Sequence, residues 1–318
     1  MDYVIFDLEW NQCPQGKEKE NPKLPFEIVE IGAIKLNEKK EEIGRFQEVI
    51  RPLVYRRLHH RTKEVIHLEQ AELDHARTFS PVVRDFLAWC GTDCKFVTWG
   101  SLDLTELQRN MDYYHIQNPL PNPLFFYDLQ KMFSLLYDDG KSRLSLEQAV
   151  EFLGIEKNIP FHRAFDDTYY TAEVMKRMDL SQVERYESVD YYRLPGSRRE
   201  EIYRDFGTYT KFVSRAFSSK EEAMADKNVT AMRCSRCGLP VWKRIRWFSS
   251  GANTYLSLVQ CPRHGFVKGK IRIKKSMDGR IFVVKTVKPA DEEAVRKLRE
   301  KKEQIRNRRR ERRKRGKR

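Results

Sequence analysis

Short apolar runs and amphipathic segments alternate along the first 180 residues of the chain. The segments YVIFDLEW, EIVEIGAIKLN and RFQEVIRP are rich in β-branched and aromatic residues, which predicts three strands in an antiparallel meander. Residues 61–91 are predicted to be helical, with Ser80 as the cap before Pro81 in the clearest amphipathic piece. Further on, KFVTWG and LFFYDL predict strands, and DLTELQRNMDYY, SLEQAVEFLGI and AFDDTYYTAEVMKRM predict helices. This order of elements indicates an α/β fold with a mixed sheet flanked by helices.

The pattern changes after Leu180. Residues 181–230 are charged and aromatic, and they are predicted to form a mostly helical bridge. Residues 231–288 hold the β-like runs TYLSLVQC, GKIRIKK and RIFVVKTV, which predict a small β-rich domain. Residues 289–318 are almost entirely charged and are predicted to be a basic helical or disordered tail. The expected domains are therefore 1–180, 181–230, 231–288 and 289–318.

Composition narrows the class of protein. A chain of 318 residues suits two domains, and a hydrophobic content of 40% is enough for a sizeable core. No run approaches the roughly 18–20 apolar residues that a membrane span needs. The N-terminal MDYVIFDLEW carries acidic residues at once and does not have the pattern of a secretory signal. Six scattered cysteines do not make a disulfide framework, so a cytoplasmic location is expected.

The net charge of +15 is unevenly distributed. Residues 1–180 contain 23 Lys and Arg against 30 Asp and Glu, whereas residues 181–318 contain 38 against 16. This asymmetry suggests an acidic, metal-tolerant site joined to a polyanion-binding half. A solubilising surface with a disordered tail is the alternative.

Three groups of acidic residues lie at positions where a site could form. Asp7 and Glu9 are two residues apart on the first predicted strand, so their side chains point to the same face. Mg²⁺ prefers such carboxylate oxygens, although a solvated strand edge would also explain the pair. Asp103 follows a buried strand, where α/β sheets often build sites, or it is simply an acid at the start of a helix. His162 and Asp167 belong to the third group.

The order of these motifs resembles the DEDDh 3′–5′ exonucleases, which have an RNase H-like fold. The resemblance covers about residues 1–180 and rests on FDLEW, EIVEIGAI, TWGSLD and HRAFDDT. The segments LDHARTFSPVVRDFLAWC and TWGSLD are most similar to the Eri-type and KapD-like branch, whose better-known members trim RNA.

The resemblance implies a set of residue roles. Asp7, Glu9, Asp103 and Asp167 would hold two Mg²⁺ or Mn²⁺ ions, and His162 would act as general base on the attacking water. The implied reaction releases nucleoside 5′-monophosphates from the 3′ end of RNA or single-stranded nucleic acid. Glu9 would also contact the terminal 3′-OH.

Other residues beside these motifs have open roles. Trp10 and Trp99 flank the acidic motifs and are candidates for stacking on the terminal base, with packing in the core as the alternative.

The family spacing assigns the metal to Asp167, five residues after His162. Asp166 is then left as a first-turn acid favoured by the helix dipole, or as a partner for Arg163.

The pattern Cys234-x2-Cys237, then 23 residues, then Cys261-x2-His264 is typical of a zinc ribbon with one structural Zn²⁺. Gly follows the last ligand of each pair, which permits a tight turn. A redox C-x-x-C beside an unrelated C-x-x-H is the alternative.

Basic residues near this motif interleave with aromatic ones, as in surfaces that contact phosphates and stack bases. They are Lys243, Arg244 and Arg246 together with Trp242, Trp247, Phe248 and Tyr255, and packing of the ribbon core is the competing use of the aromatics. Positions 296–318 contain 15 basic residues, and on a helix they predict no core-facing stripe. Such a tail should bind polyanions, with RNA, including ribosomal RNA, as the expected partner rather than a membrane.

A metal-dependent 3′–5′ exonuclease acting on RNA or single strands is therefore the leading interpretation. A DNA exonuclease of the proofreading or repair type is an alternative within the same class. A non-catalytic nucleic-acid-binding regulatory protein is the alternative from another class, and the presence of all four acids and the histidine argues against it.

Overall fold

A computed structural model describes residues 1–140 and 142–315, except for the side chains of Arg312, Arg313 and Arg315. The chain divides into two compact units, Met1–Tyr192 and a second that begins at Arg193. The boundary falls inside the segment that was predicted to be a helical bridge, so that segment is shared between the two units.

The first unit is built on a mixed sheet. Its strands are β1 Asp2–Asn11, β2 Glu27–Leu36, β3 Glu42–Arg51, β4 Arg77–Thr78, β5 Cys94–Thr98, β6 Phe125–Asp128 and β7 Ser188–Val189. In the described part of the chain they form a seven-stranded sheet in the order β4-β3-β2-β1-β5-β6-β7. The predicted meander is confirmed, because β1, β2 and β3 pair antiparallel, while β5 runs parallel to β1 and to β6.

Helices cover both faces of this sheet. They are α1 His60–Ile66, α2 Gln70–His75, α3 Phe79–Cys90, α4 Leu102–Tyr113, α5 Leu129–Tyr137, α6 Leu146–Phe152 and α7 Ala164–Arg177, with 3₁₀ turns at Lys17–Lys19 and Leu180–Gln182. Val4, Phe6 and Leu8 of β1 point into one core cluster with α3 and α4. Ile5 points to the opposite face and packs in a second cluster with α5, α6 and α7. The period of two along β1 therefore places Asp7 and Glu9 on the α7 side.

The region predicted as helical from 61 to 91 differs in detail. His67 has a left-handed φ of 49° and ends α1, and residues 77–78 form β4 by pairing with β3. Because that pairing keeps Thr78 extended, α3 begins at Phe79 and Thr78 occupies the N-cap position without a side-chain bond. The prediction that Ser80 caps this helix was therefore wrong.

The second unit is an antiparallel sheet with three helices among its described residues. Its strands are β8 Ile202–Asp205, β9 Thr210–Val213, β10 Trp242–Gly251, β11 Thr254–Cys261, β12 Gly265–Lys275 and β13 Ile281–Pro289, in the order β10-β11-β12-β13-β9-β8. Its helices are α8 Lys220–Ala225, α9 Lys227–Thr230 and α10 Glu292–Arg315. The prediction of a mostly helical bridge was wrong for residues 202–213, because β8 and β9 form a hairpin that extends the sheet at β13.

The basic tail begins as an anchored helix. Val295 and Leu298 of α10 are buried against Ile245, Leu256 and Leu258 of β10 and β11. The prediction of no core-facing stripe was therefore wrong for the first turns, since two apolar residues three positions apart are enough to dock the helix. The last three positions of the predicted tail, 316–318, lie outside the described residues. Among the described helices, none has both the length and the apolar character needed to cross a membrane.

Candidate functional site

The register of the pairing between β1 and β2 places the first residues of the site. Asp7 lies opposite Gly32 and Glu9 lies opposite Glu30. Gly32 has no side chain where α7 crosses β2, and a Cβ there would lie 2.5 Å from the Ala164 carbonyl oxygen and closer still to the Phe165 nitrogen. Thr168 Oγ1 donates a hydrogen bond to the Gly32 carbonyl at 2.9 Å. The first turn of α7 therefore rests directly on the sheet, next to the two acids of β1.

Three carboxylates meet at this contact. Asp7, Glu9 and Asp167 each offer an oxygen atom within 4.8 Å of the others. Burial and the neighbouring charges of Asp103 and Glu9 raise the pKa of Asp7 well above its usual range. Burial and the charge of Asp167 raise the pKa of Glu9 to about 9. Burial raises the pKa of Asp167 to about 6, although the hydrogen bond from the His162 backbone N–H acts to lower it. Such a group of acids repels itself unless a cation lies among them, and an all-oxygen donor set suits Mg²⁺ or Mn²⁺.

Asp103 faces this cluster without joining it. It is the second residue of α4, where Ser101 occupies the N-cap position, and only 6% of its surface is exposed. Burial raises its pKa to about 7, while the backbone N–H groups of Asp103 and Leu8 act in the opposite direction. After burial, its charge is the largest cause of the raised pKa of Asp7. Asp103 is therefore a first-turn acid and also a close electrostatic neighbour of the three carboxylates.

His162 and Asp166 lie on either side of the start of α7. The His162 backbone N–H donates to Asp167 Oδ1 at 3.2 Å, its φ is 73°, and its side chain is exposed. Asp166 is in the first turn of α7 but outside the group of three carboxylates. Arg163 forms its direct ion pair with Glu30 at 3.0 Å. Asp166 interacts with Arg163 electrostatically, because burial raises the pKa of Asp166 while the Arg163 charge lowers it.

Sequence reasoning missed Glu30 as a residue that positions the site. Its side chain is 0% exposed, and its carboxylate accepts from Arg163 Nε and Nη2 and from the Ala164 backbone N–H at 3.0–3.3 Å. A buried acid needs such partners. The signal was present in EIVEIGAI, where Glu30 and Gly32 interrupt the apolar run that follows Glu27, on a strand that is buried almost throughout.

Further contacts fix α7 and the segment before it. Lys40 Nζ donates to the Met175 and Met178 carbonyls at 3.2 and 2.6 Å, at the end of the helix. The Tyr170 hydroxyl accepts from the Ile159 N–H at 3.0 Å and donates to the Ile159 carbonyl at 2.7 Å. The Phe161 ring stacks on Tyr170 with centroids 4.5 Å apart. The chain leading to His162 is therefore anchored up to the preceding residue.

The two tryptophans are used in packing. Trp10 packs against Phe26 with ring centroids 5.5 Å apart and contacts the core cluster of α3 and α4. Trp99 packs against Phe133 at 5.9 Å, in the other cluster. Both are only partly buried. Each ring therefore has a packing role, and base stacking by its exposed part stays a prediction.

The second unit brings the four predicted zinc ligands together. Cys234, Cys237, Cys261 and His264 offer donor atoms that all lie within 4.8 Å of one another. His264 Nδ1 lies 3.6 Å from Cys234 Sγ and 3.7 Å from Cys261 Sγ, and the sulfurs of Cys237 and Cys261 are 3.7 Å apart. A tetrahedron built from the usual Zn–S and Zn–N bond lengths has edges of about 3.8 Å between sulfurs and about 3.6 Å between sulfur and nitrogen.

The local backbone supports this arrangement. Gly238 and Gly265 follow the two pairs with φ values of 67° and 72°, which closes each turn. The Arg236 N–H approaches Cys234 Sγ at 3.5 Å. Burial acts against ionisation of Cys261, but the N–H groups of Arg263 and His264 lower the pKa of its thiol to about 6. A redox pair would not require His264 at this distance from two of the sulfurs.

Most of the aromatics near this cluster are also core residues. Trp247 and Tyr255 pack in the cluster around Ile271 and Val283, and Phe248 packs in the cluster that receives α10. Trp242 differs, because 58% of its surface is exposed.

Comparison with known proteins identifies the family of the first unit. The Exonuclease (RNase_T) family profile matches residues 4–175, more than half of the chain. The 3'-5' exoribonuclease 1 of Homo sapiens is 27% identical over 187 residues, which cover 56% of this chain and 52% of the human protein. The protein of the same name from Mus musculus is 27% identical over 192 residues, covering 56% and 53%. The chain thus aligns with only about half the length of these curated relatives.

Solved structures confirm the fold of the first unit. A full-length 3'-exonuclease matches with a TM-score of 0.50 at 23% identity, over 57% of this chain and 83% of that one. The nuclease domain of 3'hExo, described as a DEDDh family member bound to rAMP, matches with a TM-score of 0.50 at 22% identity, over 60% of this chain and 96% of that one. The RNase H-like fold and the resemblance to DEDDh exonucleases are confirmed, and the chain belongs to the exonuclease (RNase_T) family.

Proposed function

We propose that this protein is a divalent-metal-dependent 3′–5′ exonuclease that acts on RNA and releases nucleoside 5′-monophosphates. One observation carries the proposal: the carboxylates of Asp7, Glu9 and Asp167 converge within 4.8 Å, although their burial makes that convergence costly without a cation. Exoribonuclease names among the relatives favour RNA as the substrate.

In this proposal Asp7, Glu9, Asp103 and Asp167 hold two Mg²⁺ or Mn²⁺ ions. When bound, such cations polarise the scissile phosphate and offset the charge on the leaving 3′ oxygen. Glu9 also contacts the terminal 3′-OH. Asp103 is included because, after burial, its charge is the largest cause of the raised pKa of Asp7.

His162 accepts the proton of the attacking water. A histidine can do this at neutral pH because its unperturbed pKa is about 6.5. Its side chain is exposed beside Asp167 and is free to reach a phosphate that enters the site. The Glu30–Arg163 pair and Gly32 act on the reaction only by positioning α7.

The test uses purified protein with Mg²⁺ or Mn²⁺ and RNA labelled at the 3′ or the 5′ end. The 5′-labelled RNA should shorten stepwise, and the 3′ label should appear as a mononucleotide at once. Asp7→Ala should be inactive under the same conditions. Digestion of DNA but not RNA would favour the repair-type alternative. An absence of shortening with every substrate, or an Asp7→Ala variant as fast as wild type, would overturn the enzyme proposal.

We further propose that Cys234, Cys237, Cys261 and His264 hold one structural Zn²⁺. Four protein donors leave no open position, so the ion would act on stability and not on chemistry. Metal analysis should find about one zinc per chain. Cys261→Ser should lose this zinc while Cys94→Ser, at a cysteine outside the cluster, should keep it. Equal zinc content in the two variants would refute the assignment.

The basic half is proposed to bind nucleic acid, including ribosomal RNA. Val295 and Leu298 belong to the core, so a truncation that tests the tail should end after Glu303. That truncation should flatten the salt dependence of RNA binding and leave cleavage of short oligonucleotides largely unchanged. None of the six cysteines, all of which lie in the described part of the chain, is in a disulfide, and this supports the cytoplasm as the compartment.

A further inference from the structure

The two faces of β12 differ sharply in character. Val267, Gly269, Ile271 and Ile273 are buried, whereas Lys268, Lys270 and Arg272 alternate with them and point to the opposite face. Lys288 lies directly across from Lys268 on β13. Successive residues on one face of a strand are about 6.8 Å apart, so Lys268, Lys270 and Arg272 form a row about 14 Å long, which Lys274 continues on the same face.

Electrostatic contacts connect this row to α10. Burial and the charges of Lys288 and Lys301 lower the pKa of Lys268. Burial and the charges of Arg272 and Lys268 lower the pKa of Lys270, with Lys301 and Lys288 contributing as well. Together these contacts define one basic surface, which we call the β12 row. It consists of Lys268, Lys270 and Arg272 of β12, Lys288 of β13 and Lys301 of α10.

The β12 row is not neutralised within the protein. Among the described residues, Lys268, Lys270, Lys288 and Lys301 form no ion pair. The same unit does neutralise a cation elsewhere: Arg215 pairs with Glu201 at 2.7 Å and with Asp226 at 3.0 Å. Gathering like charges on a half-covered sheet face costs stability, and a polyanion would remove that cost.

We propose that the β12 row binds the sugar–phosphate backbone of an RNA strand, without regard to sequence, as a docking surface separate from both the nuclease carboxylates and the end of α10. The choice of RNA as partner rests on the proposed function. The cations of β12 are evenly spaced, which matches a chain of phosphates. The carboxylates next to Lys301 on α10, Glu300 and Glu303, are paired with Arg296 and Arg306 of the same helix. A membrane surface would require apolar anchors beside the charges, and Phe266, the aromatic next in the same row, packs in the cluster that receives α10.

The test measures RNA affinity against salt concentration in the full chain. The Asp7→Asn protein serves as the background so that RNA is bound without being digested, and the RNA length is checked after each titration. Lys268→Gln/Lys270→Gln should weaken binding of a labelled RNA of about 20 nucleotides by about 25-fold at about 0.1 M salt and reduce the logarithmic salt slope by about 1.4, since each lost phosphate contact contributes about 0.7. Lys268→Arg/Lys270→Arg should restore both quantities.

The matched control removes the same charge from the same unit. Lys227 and Lys275 are exposed, and Lys275 belongs to β12 but alternates onto the other face. Lys227→Gln/Lys275→Gln should leave the affinity and the slope within about twofold of the background. If both double variants lost RNA affinity equally, the loss would be explained by net charge alone, and the proposal would be overturned. It is also overturned if the Lys268→Gln/Lys270→Gln protein binds RNA normally but loses binding to phosphatidylserine vesicles. Digested RNA at the end of a titration would instead count against the role of Asp7. A failure of the nuclease proposal can therefore be told apart from a failure of the β12 row proposal.

Discussion

Substitution of Gly32 by alanine tests how closely α7 must lie on the sheet for the site to work. The new Cβ would lie 2.5 Å from the Ala164 carbonyl oxygen and closer to the Phe165 nitrogen, and both are backbone atoms that cannot rotate away. An ordinary contact between such atoms is about 3.5 Å, so the start of α7 must retreat by about 1 Å.

That shift has two consequences of different size. Overpacking of this kind costs about 1–3 kcal/mol, which corresponds to a fall in Tm of about 3–10 °C for a unit of this size. Asp167 lies two residues beyond the clash, so it moves with the helix relative to Asp7 and Glu9. A displacement of about 1 Å in a positioned group can cost about 100-fold in rate. We therefore expect turnover to fall about 100-fold at temperatures where the protein is still folded.

The assay is single-turnover cleavage of 5′-labelled RNA, with Tm and circular dichroism recorded on the same preparations. Gly44→Ala is the matched control, because a Cβ at that glycine on β3 meets the Trp89 ring at an ordinary 3.4 Å. Gly44→Ala should keep both Tm and rate. A Gly32→Ala protein that matches wild type in Tm and in rate would refute the close approach of α7. A lower Tm with an unchanged rate would refute its link to Asp167.

The remaining predictions concern the acids and the histidine. In a cleavage assay Asp167→Asn should abolish turnover, whereas Asp166→Asn should only weaken it, because Asp166 lies outside the group of three carboxylates. If Asp166→Asn were the more damaging substitution, the metal ligand would be Asp166 and not Asp167. His162→Gly should lower turnover by about 100- to 10,000-fold through loss of the general base, while Tm stays within a few degrees because a φ of 73° suits glycine; unchanged turnover would exclude the histidine. Without divalent metal, the free energy of unfolding should fall as pH rises. In the folded protein the pKa of Glu9 is about 9 against a usual 4.5, and that of Asp167 is about 6 against a usual 3.8. The folded state therefore keeps protons that the unfolded chain has already lost. Tm measured between about pH 5 and 8 should drop less with saturating Mg²⁺ than without it, and identical drops would argue against metal at these carboxylates.

Local pattern predicted most of the first unit. β-Branched runs and amphipathic segments identified the meander and the main helices, since those features depend on residues close together in sequence. The spacing of the C-x-x-C and C-x-x-H pairs likewise predicted the four zinc ligands, whose donor atoms the structure brings together. The strand β4 escaped prediction because two residues make it a strand only through their pairing with β3.

Long-range pairing explains the larger error in residues 181–230. β8 and β9 are four residues each, and charged positions hide their alternation. They become strands by pairing with each other and, through β9, with β13, whose residue Val284 lies opposite Val213. In the same way, Glu30 and Gly32 looked like parts of an ordinary strand, and their roles follow only from the approach of α7. Features set by partners distant in sequence were not visible in the local pattern.

The anchoring of the segment before α7 has a consequence for how a substrate is engaged. Tyr170 holds Ile159 through two hydrogen bonds and Phe161 through ring stacking, while Glu30 and Lys40 fix the two ends of the helix. These contacts hold the segment before α7 and both ends of the helix, so we expect this side of the site to be preorganised. The adjustment to an incoming strand then falls to the exposed imidazole of His162. Exposed side chains change rotamer within picoseconds to nanoseconds, whereas lid closure takes microseconds to milliseconds. We therefore expect that closure of the segment before α7 does not limit the turnover of the proposed nuclease.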